Sequence, residues 1–128
     1  MQDYTVNYIN SVVNLIIAWI ELNLSKPIKV KDVVARSGYS EYYLQRSFRV
    51  CTGESIAHYV RRRKLKYAAE ILTNSDLAII DLAFNMGFDD VSTFYRSFRR
   101  EFGVAPGKYR ERHKPVSQTG GQELQQKC

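Results

Sequence analysis

The tetrapeptide RSFR occurs twice in this sequence, beginning at Arg46 and again fifty residues later at Arg96. Arginine ends in a planar fork of N–H donors that can bind a guanine edge or a phosphate through two hydrogen bonds. If the segments are helical, further polar and aromatic side chains share the arginine face. These are Tyr42, Gln45 and Arg49 in the first copy, and Ser92, Tyr95 and Arg99 in the second. Such a face carries the side chains that read base edges in duplex DNA.

The opposite face of each copy is apolar. Leu44 and Phe48 lie four residues apart in the first copy, and Phe94 and Phe98 take the same places in the second. Residues four apart lie on one side of a helix. Both copies are therefore predicted to be amphipathic helices, with the Leu/Phe side against a core and the arginine side toward a partner.

A short helix and a glycine turn precede each of these helices. The segment VVARSGYSEYYLQRSF contains Gly38, and LAFNMGFDDVSTFYRSF contains Gly87. A helix, a tight turn and a second helix with outward polar side chains form the helix-turn-helix pattern. Two copies in phase make this interpretation considerably stronger than one copy would.

Caps and breakers divide the remaining chain into helices. Glycines end several segments, and Ser40, Ser55 and the pair Asp89–Asp90 precede others as N-caps. The predicted helices are 5–24, 30–37, 41–51, 55–73, 77–86, 91–102 and a short one from 106 through 109. No segment has the alternation or turn pattern of paired strands.

The fold class is thus predicted to be all-α, with about seven helices. Two helix-turn-helix subdomains, residues 5–53 and 75–112, are joined by a long linker helix at 54–74. Residues 113–128 are predicted to be a mobile polar tail. The predicted helix within this linker, residues 55–73, rises ~28 Å at ~1.5 Å per residue.

The charge balance favours a polyanionic partner. Nineteen lysines and arginines against thirteen acids give a net charge of +6. Most of the basic residues fall in the windows 45–67 and 96–112, around and after the two RSFR copies. Besides Arg49 and Arg99, the candidates for contact with the DNA backbone or for auxiliary contacts are Ser40, Arg61, Arg62, Tyr95, Lys108 and Arg110.

Other classes of function find little support in the residues. The two histidines are isolated, and there is no nucleophile–base set, phosphate loop or paired-cysteine zinc pattern, so no enzyme activity, metal or cofactor is expected. Polar residues interrupt the most apolar segment, 12–24, before it reaches the ~20 residues of a membrane span. We therefore expect a soluble intracellular protein without membrane contact. Cys51 is expected to be a small buried apolar residue.

Several stretches resemble the AraC/XylS family of transcription regulators, and most closely its small stand-alone activators. The resemblance covers roughly residues 10–112. It is carried by WIELNL…PI, SGYSEYYLQRSF, TGES, YVRRRKL, ILTNSDLAIIDLAFNMGFDD and TFYRSFRREFGVAPGKYR. The last stretch, Gly-Phe with its recognition helix and then F-G-x-x-P-x-x-Y-R, is the most specific.

The resemblance implies two recognition helices that enter major grooves on one face of double-stranded DNA. A monomer would bind an asymmetric site and help to recruit RNA polymerase in the bacterial cytoplasm, at the nucleoid. With no flanking sensing domain apparent, no small-molecule effector is expected. By position, the base-reading residues are Tyr42, Gln45 and Arg46 in the first helix and Ser92, Thr93 and Arg96 in the second.

The sequence departs from these relatives at three places. They typically carry Lys at Glu41, Trp at Tyr42 and a Gln-Gln pair at Val91–Ser92, so the second half of the site is expected to be changed or read less stringently. The alternative function is a protein-interaction module that binds RNA polymerase or another regulator, with only generic DNA contacts.

Overall fold

Seven α-helices make up the part of the chain that the structure describes. The computed structural model describes the backbone of residues 2–114 and the side chains of residues 10–114. The helices are α1 (Gln2–Leu22), α2 (Val30–Ser37), α3 (Glu41–Thr52), α4 (Ile56–Asn74), α5 (Ile79–Asn85), α6 (Val91–Phe102) and α7 (Pro106–His113). No strand occurs among residues 2–114, so the predicted all-α class is confirmed. The predicted tail lies outside the described residues from 115 onward.

Helix bounds agree with the predicted ones where a cap marks them. The Ser40 hydroxyl accepts a hydrogen bond from the Tyr43 N–H at 3.2 Å, at the start of α3. The Asp90 carboxylate accepts one from the Thr93 N–H at 2.8 Å, at the start of α6. The fifth helix begins at Ile79 rather than at the predicted residue 77, and Ala78 at its N-cap offers no side-chain acceptor. The second helix begins at Val30 as predicted, although Lys29 makes no cap hydrogen bond.

The ends of α3 and α6 are built alike. Gly53 and Gly103 both have a φ of 82°, in the left-handed region that other residues rarely adopt. Each glycine donates its N–H to the carbonyl of the arginine four residues earlier, Arg49 or Arg99, at 2.7 Å. The fifty-residue repeat therefore includes the glycine that ends each helix as well as the RSFR tetrapeptide.

The chain divides into two compact units, residues 1–64 and 65–128, and the division falls within α4. The predicted subdomain bounds, which set 54–74 apart as a linker, stay a prediction. In the first unit, α1 packs against α2 and α3. Its core contains Val13, Ile16 and Ile20 of α1, all at most 4% exposed, together with Leu44 and Phe48 of α3. Val13, Ile16 and Ile20, spaced three and four residues apart, thus form one buried stripe on α1.

The second unit repeats this plan with the C-terminal half of α4 as its first helix. Leu65, Ala68 and Leu72 of α4 are buried in one cluster with Phe94 and Phe98 of α6. In this unit α6 packs against α5 and α7. Large side chains with at most 3% exposure fill this cluster, which anchors the apolar side of α6 and so leaves its arginine side in solvent.

The phenylalanine of each RSFR copy packs against an aromatic ring on the helix that follows. Tyr59 of α4 meets Phe48 edge-on, with ring centroids 5.5 Å apart. Fifty residues later, Tyr109 of α7 meets Phe98 edge-on at 5.4 Å. Edge-to-face packing of this kind adds ~0.5–1.5 kcal/mol to the burial of the rings. Each unit therefore holds its recognition helix by the same contact.

Lys64 of α4 is hydrogen-bonded to the loop after α1 within the first unit. It is 4% exposed, and its Nζ donates to the Leu24 carbonyl at 2.7 Å and also to the Lys26 carbonyl. Burial lowers the pKa of this lysine to about 8. A lysine at the matching place in the second unit, Lys114, lies 3.2 Å from the Asp76 carboxylate.

Two further features concern the surface and the membrane. Cys51 is exposed, which makes the expectation of a buried residue wrong. Its position in the last turn of α3 leaves it open to solvent, and its Sγ donates to the Asn10 side-chain oxygen at 3.0 Å.

Among the described helices, none combines the length and apolar character needed to cross a bilayer.

Candidate nucleic-acid interface

The polar face of α3 centres on Tyr42 and Arg46, one helical turn apart. Tyr42 is 75% exposed, because its position lies opposite the buried Leu44 and Phe48. The Arg46 guanidinium is also exposed, and its Nη1 donates to the Tyr42 hydroxyl at 3.4 Å. This hydrogen bond is long and solvent-exposed, so it orients the two side chains on one patch without engaging most of the arginine donors.

Gln45 does not stand free beside them. Its side chain is half-buried, and its Oε1 accepts a hydrogen bond from the Ile56 backbone N–H at 3.3 Å. Ile56 is the first residue of α4, so Gln45 serves as a partner for the start of the next helix. The structure therefore separates Gln45 from the exposed patch of Tyr42 and Arg46. Its predicted contact with a base stays a prediction.

On α6 the three predicted base readers lie in the first half of the helix, and hydrogen bonds link two of them, Thr93 and Arg96. Ser92 and Arg96 are exposed, and Thr93 is half-buried. The Thr93 hydroxyl donates to Asp90 Oδ2 at 3.2 Å and accepts from Arg96 Nη2 at 3.3 Å. Hydrogen bonds from the Thr93 backbone and side chain lower the pKa of the Asp90 carboxyl, so it remains an acceptor at neutral pH. The chain from Asp90 through Thr93 orients the Arg96 guanidinium.

Among residues 10–114, no salt bridge involves either recognition arginine, Arg46 or Arg96. Both guanidinium groups retain donors for an external acceptor. This is the property that a base or phosphate contact requires.

Residues next to these patches extend the exposed basic surface. Arg49 and Arg99 are exposed near the ends of their helices, and Arg61 is exposed on α4. Tyr95 is 38% exposed, with its ring edge-on to the buried Phe94 at 6.4 Å. Ser40, the N-cap of α3, uses its hydroxyl oxygen as an acceptor for the helix, which leaves its O–H available to donate.

Arg62 lies in a network at the start of α4. Its Nε and Nη2 donate to the two oxygens of Glu54 at 3.1 and 2.8 Å, and His58 Nδ1 is 2.6 Å from the same carboxylate. The Arg62 hydrogen bonds are the largest cause of a lowered pKa for the Glu54 carboxyl. Arg62 is therefore already paired in the free protein, and a phosphate contact would have to compete with Glu54.

The two candidates on α7 differ from each other. Lys108 is exposed and lies 3.5 Å from Glu111, a surface pair of little energetic weight. Arg110 is half-buried, and its guanidinium donates to the Leu72 carbonyl at 2.9 Å and to the Leu77 carbonyl at 2.6 Å. Arg110 thus ties α7 to the end of α4 and the loop after it, a role that the sequence analysis did not foresee.

One sequence signal could have separated Gln45 from the other readers. At the offset of fifty, Ile56 corresponds to Pro106, which has no backbone N–H to pair. Gln45 corresponds to Tyr95, which has no amide to offer. The first repeat thus has both a helix start that needs an acceptor and a side chain that supplies one. The second repeat has neither.

Comparisons with known proteins agree with this geometry. A family model for a helix-turn-helix domain matches residues 33–112. Regulatory protein SoxS of Salmonella typhimurium is 39% identical over 101 residues, which cover 79% of this chain and 94% of that protein. Multiple antibiotic resistance protein MarA of the same organism is 42% identical over 98 residues, 77% of each protein.

Solved structures of similar fold lead to the same group. The C-terminal domain of AraT, a response regulator from Geobacillus stearothermophilus, aligns with a TM-score of 0.80 and 25% identity, covering 87% of this chain and 93% of that one. The DNA-binding domain of AdpA, solved in complex with a target DNA, aligns with a TM-score of 0.74 and 26% identity, covering 78% and 90%. The chain therefore belongs to the AraC/XylS family of helix-turn-helix transcription regulators.

Proposed function

We propose that this protein is a transcription activator that binds double-stranded DNA sequence-specifically through α3 and α6. The observation that carries the proposal is the pair of exposed arginines, Arg46 and Arg96. Neither makes a salt bridge among residues 10–114, and each lies on the solvent side of a helix whose other side is core. The names of its relatives, which include regulatory proteins, support the proposal. So does the AdpA neighbour, which was solved on DNA.

The two patches offer different chemistry to the major groove. Arg46 can bind guanine O6 and N7 with two N–H groups, while the ring of Tyr42 can contact a thymine methyl beside it. On α6, Arg96 offers the same fork, and the Ser92 hydroxyl can donate or accept. The Thr93 hydroxyl is already hydrogen-bonded to Asp90 and Arg96. We therefore expect α6 to read bases through Arg96 and Ser92 rather than through all three predicted residues.

Binding strength comes mainly from phosphates. The net charge of +6 and the exposed Arg49, Arg61 and Arg99 provide the electrostatic attraction. Each phosphate that is neutralised releases counterions, so the affinity falls with salt at a slope of ~0.9 per contact. The proposed DNA binding is therefore strongly dependent on ionic strength.

On DNA, we propose that a monomer docks both helices into successive major grooves of a non-palindromic site of ~20 bp, since adjacent turns are ~34 Å apart. The rise of α4, ~28 Å, is slightly short of that spacing. Full engagement is then expected to bend the DNA toward the protein. We further propose that the bound protein recruits RNA polymerase, at the nucleoid in the bacterial cytoplasm and without a small-molecule effector.

A second candidate function is that of a protein-interaction module with generic DNA contacts. Ile80 and Phe84 favour it, because they are 51% and 50% exposed at adjacent turns of α5. Their counterparts fifty residues earlier, Val30 and Val34, are only half-buried as well but smaller. An apolar pair of this kind suits a protein surface better than it suits DNA.

Selection of binding sites from random duplex DNA separates the two functions. The proposed activator selects an asymmetric site of ~20 bp and binds it at least ~10³-fold more tightly than scrambled DNA at physiological salt. An affinity ratio near one would instead favour the interaction module. Circular-permutation gel shifts on the selected site then test the bend, and a footprint limited to a single groove would contradict the two-helix model.

A further inference from the structure

Gln45 sits among the predicted base readers but makes a hydrogen bond inside the protein. We infer that Gln45 is a positioning residue, which attaches α3 to the first turn of α4, and that Tyr42 and Arg46 alone determine the bases read by α3. This inference rests on the proposed DNA-binding function. It deepens that function by removing one of three predicted readers and giving it a different task.

The hydrogen bond meets a need of the fold. Ile56 is the first residue of α4 and is fully buried, so its backbone N–H has neither a partner within the helix nor access to water. Gln45 Oε1 accepts from this N–H at 3.3 Å. The hydroxyl of Ser55, the residue before the helix, accepts instead from the His58 N–H at 3.1 Å. Gln45 therefore satisfies a buried donor that is costly to leave unpaired.

The second repeat shows what happens when that need is absent. Pro106 stands where Ile56 stands and is likewise buried at the first position of its helix, α7. Proline has no N–H, so no acceptor is required there. In the place of Gln45, the second repeat has Tyr95, which has no amide and is more than one-third exposed. The second repeat therefore lacks both the backbone N–H donor and the amide acceptor that are paired in the first repeat.

Capping also changes what Gln45 can offer to DNA. Specific reading of adenine by glutamine needs both ends of the amide: Oε1 accepts from adenine N6 while the NH₂ group donates to N7. In this structure Oε1 is engaged by Ile56. This hydrogen bond holds the half-buried amide at the start of α4. A bidentate contact with adenine would require the amide to turn from this position, which would leave the Ile56 N–H unpaired.

A double-mutant cycle on thermal stability tests the capping role. Gln45→Ala is expected to lower the melting temperature by about 3–6 °C, the typical effect of losing one helix cap in a domain of this size. In an Ile56→Pro background, which removes the N–H as in the second repeat, the same change is expected to have no effect. An undiminished effect in that background would overturn the capping role.

A pair of single variants covers the case in which Ile56→Pro does not fold. Gln45→Glu keeps an oxygen acceptor at the start of α4, whereas Gln45→Leu keeps the size of the side chain and loses the acceptor. Melting near that of the parent for Gln45→Glu, and lower melting for Gln45→Leu, supports the cap. Equal melting of the two variants would overturn it.

DNA binding tests the second half of the inference, with the selected site and duplexes that differ from it by one base pair. For Gln45→Ala, the ratio of affinities for parent and changed sites is expected to stay within about twofold of the parent protein at every position. Arg46→Ala is the positive control, expected to lose discrimination about tenfold or more at one position. A comparable loss in Gln45→Ala would show that Gln45 reads a base and overturn the inference.

The stability experiments and the DNA-binding experiment can fail independently of each other. Equal binding of all duplexes by the unmodified protein would refute the proposed function, and the base-reading part of this inference with it. The stability cycle uses no DNA, so in that case it would still decide whether Gln45 caps α4.

Discussion

Arg110 is the residue for which sequence and structure predict opposite consequences of mutation. By its position in a basic segment it is a candidate for contact with DNA. In the structure its guanidinium donates to the carbonyls of Leu72 and Leu77 at 2.9 and 2.6 Å. Leu72 lies in the last turn of α4, where carbonyls have no partner within the helix. Arg110→Ala would therefore leave two backbone acceptors without their partner.

The magnitude follows from those two contacts. A hydrogen bond from a charged group contributes about 1.5–3 kcal/mol. Because Arg110 is only half-buried, water can replace part of what is lost, so we expect a total of about 2–4 kcal/mol. That is a large share of the ~5–15 kcal/mol by which a domain is stable. Arg110→Lys is expected to recover only part of it, because lysine cannot present two N–H groups in a fork.

Urea unfolding followed by circular dichroism measures this loss, with Arg112→Ala as the matched control. Arg112 is exposed two residues further along α7, and its removal is expected to change stability by no more than ~0.5 kcal/mol. The salt dependence of DNA binding provides the second measurement. A phosphate contact by Arg110 would contribute ~0.9 to the slope of log affinity against log salt. Unchanged stability of Arg110→Ala together with a reduced slope would refute the structural role.

Three other perturbations follow from the same structure. Arg46→Ala is expected to lose ~1–3 kcal/mol and to relax preference at one base pair, whereas Arg49→Ala weakens all sequences alike; competition with single-base variants of the site measures both, and an unchanged ratio of cognate to scrambled affinity in Arg46→Ala would remove that residue from the readers. Phe98→Ala, at a fully buried site, is expected to destabilise the protein by ~3–5 kcal/mol in chemical denaturation, against less than ~0.5 kcal/mol for Val50→Ala, which is 77% exposed; similar losses in the two would contradict the core assignment. Burial lowers the pKa of Lys64 from 10.5 to about 8. Between those values the unfolded chain binds more protons than the folded one, so this lysine makes stability rise with pH from about 8 to about 10.5. Lys64→Met is expected to flatten that part of the profile in urea titrations at several pH values, and an unaltered slope would show that Lys64 keeps an ordinary pKa.

Much of the fold was predictable because its signals are local. Glycine after an amphipathic stretch predicts a helix end, and Gly53 adopts the left-handed conformation that this position needs. Serine or aspartate before such a stretch predicts a helix start, as Ser40 and Asp90 show. The exposed faces of α3 and α6 were predictable for a related reason. Once Phe48 and its counterpart are assigned to the core, the helical period decides what points away from it.

The partners of individual polar side chains were less predictable. Gln45 and Cys51 lie on a helix that was predicted correctly, and Arg110 directly follows the predicted end of the last helix, yet each contacts a group 11 to 41 residues away in the sequence. Periodicity places a side chain on a face of its own helix, but it does not say which neighbouring helix end will approach that face. Three of the fourteen candidate DNA contacts, Gln45, Arg62 and Arg110, therefore have protein partners beyond the i+3 and i+4 spacing of a helix.

By itself the sequence determined the helices, their caps, the duplicated plan and the arginine that heads each RSFR copy, since each of these depends on residues within a few turns of one another. The tertiary structure decided which polar groups remain available to a partner. Packing of α4 and α7 buries backbone donors and acceptors that must be paired, and it is this requirement that engages Gln45 with Ile56, and Arg110 with the end of α4. Arg46 and Arg96 make no salt bridge within the described residues, so their charge remains available to DNA.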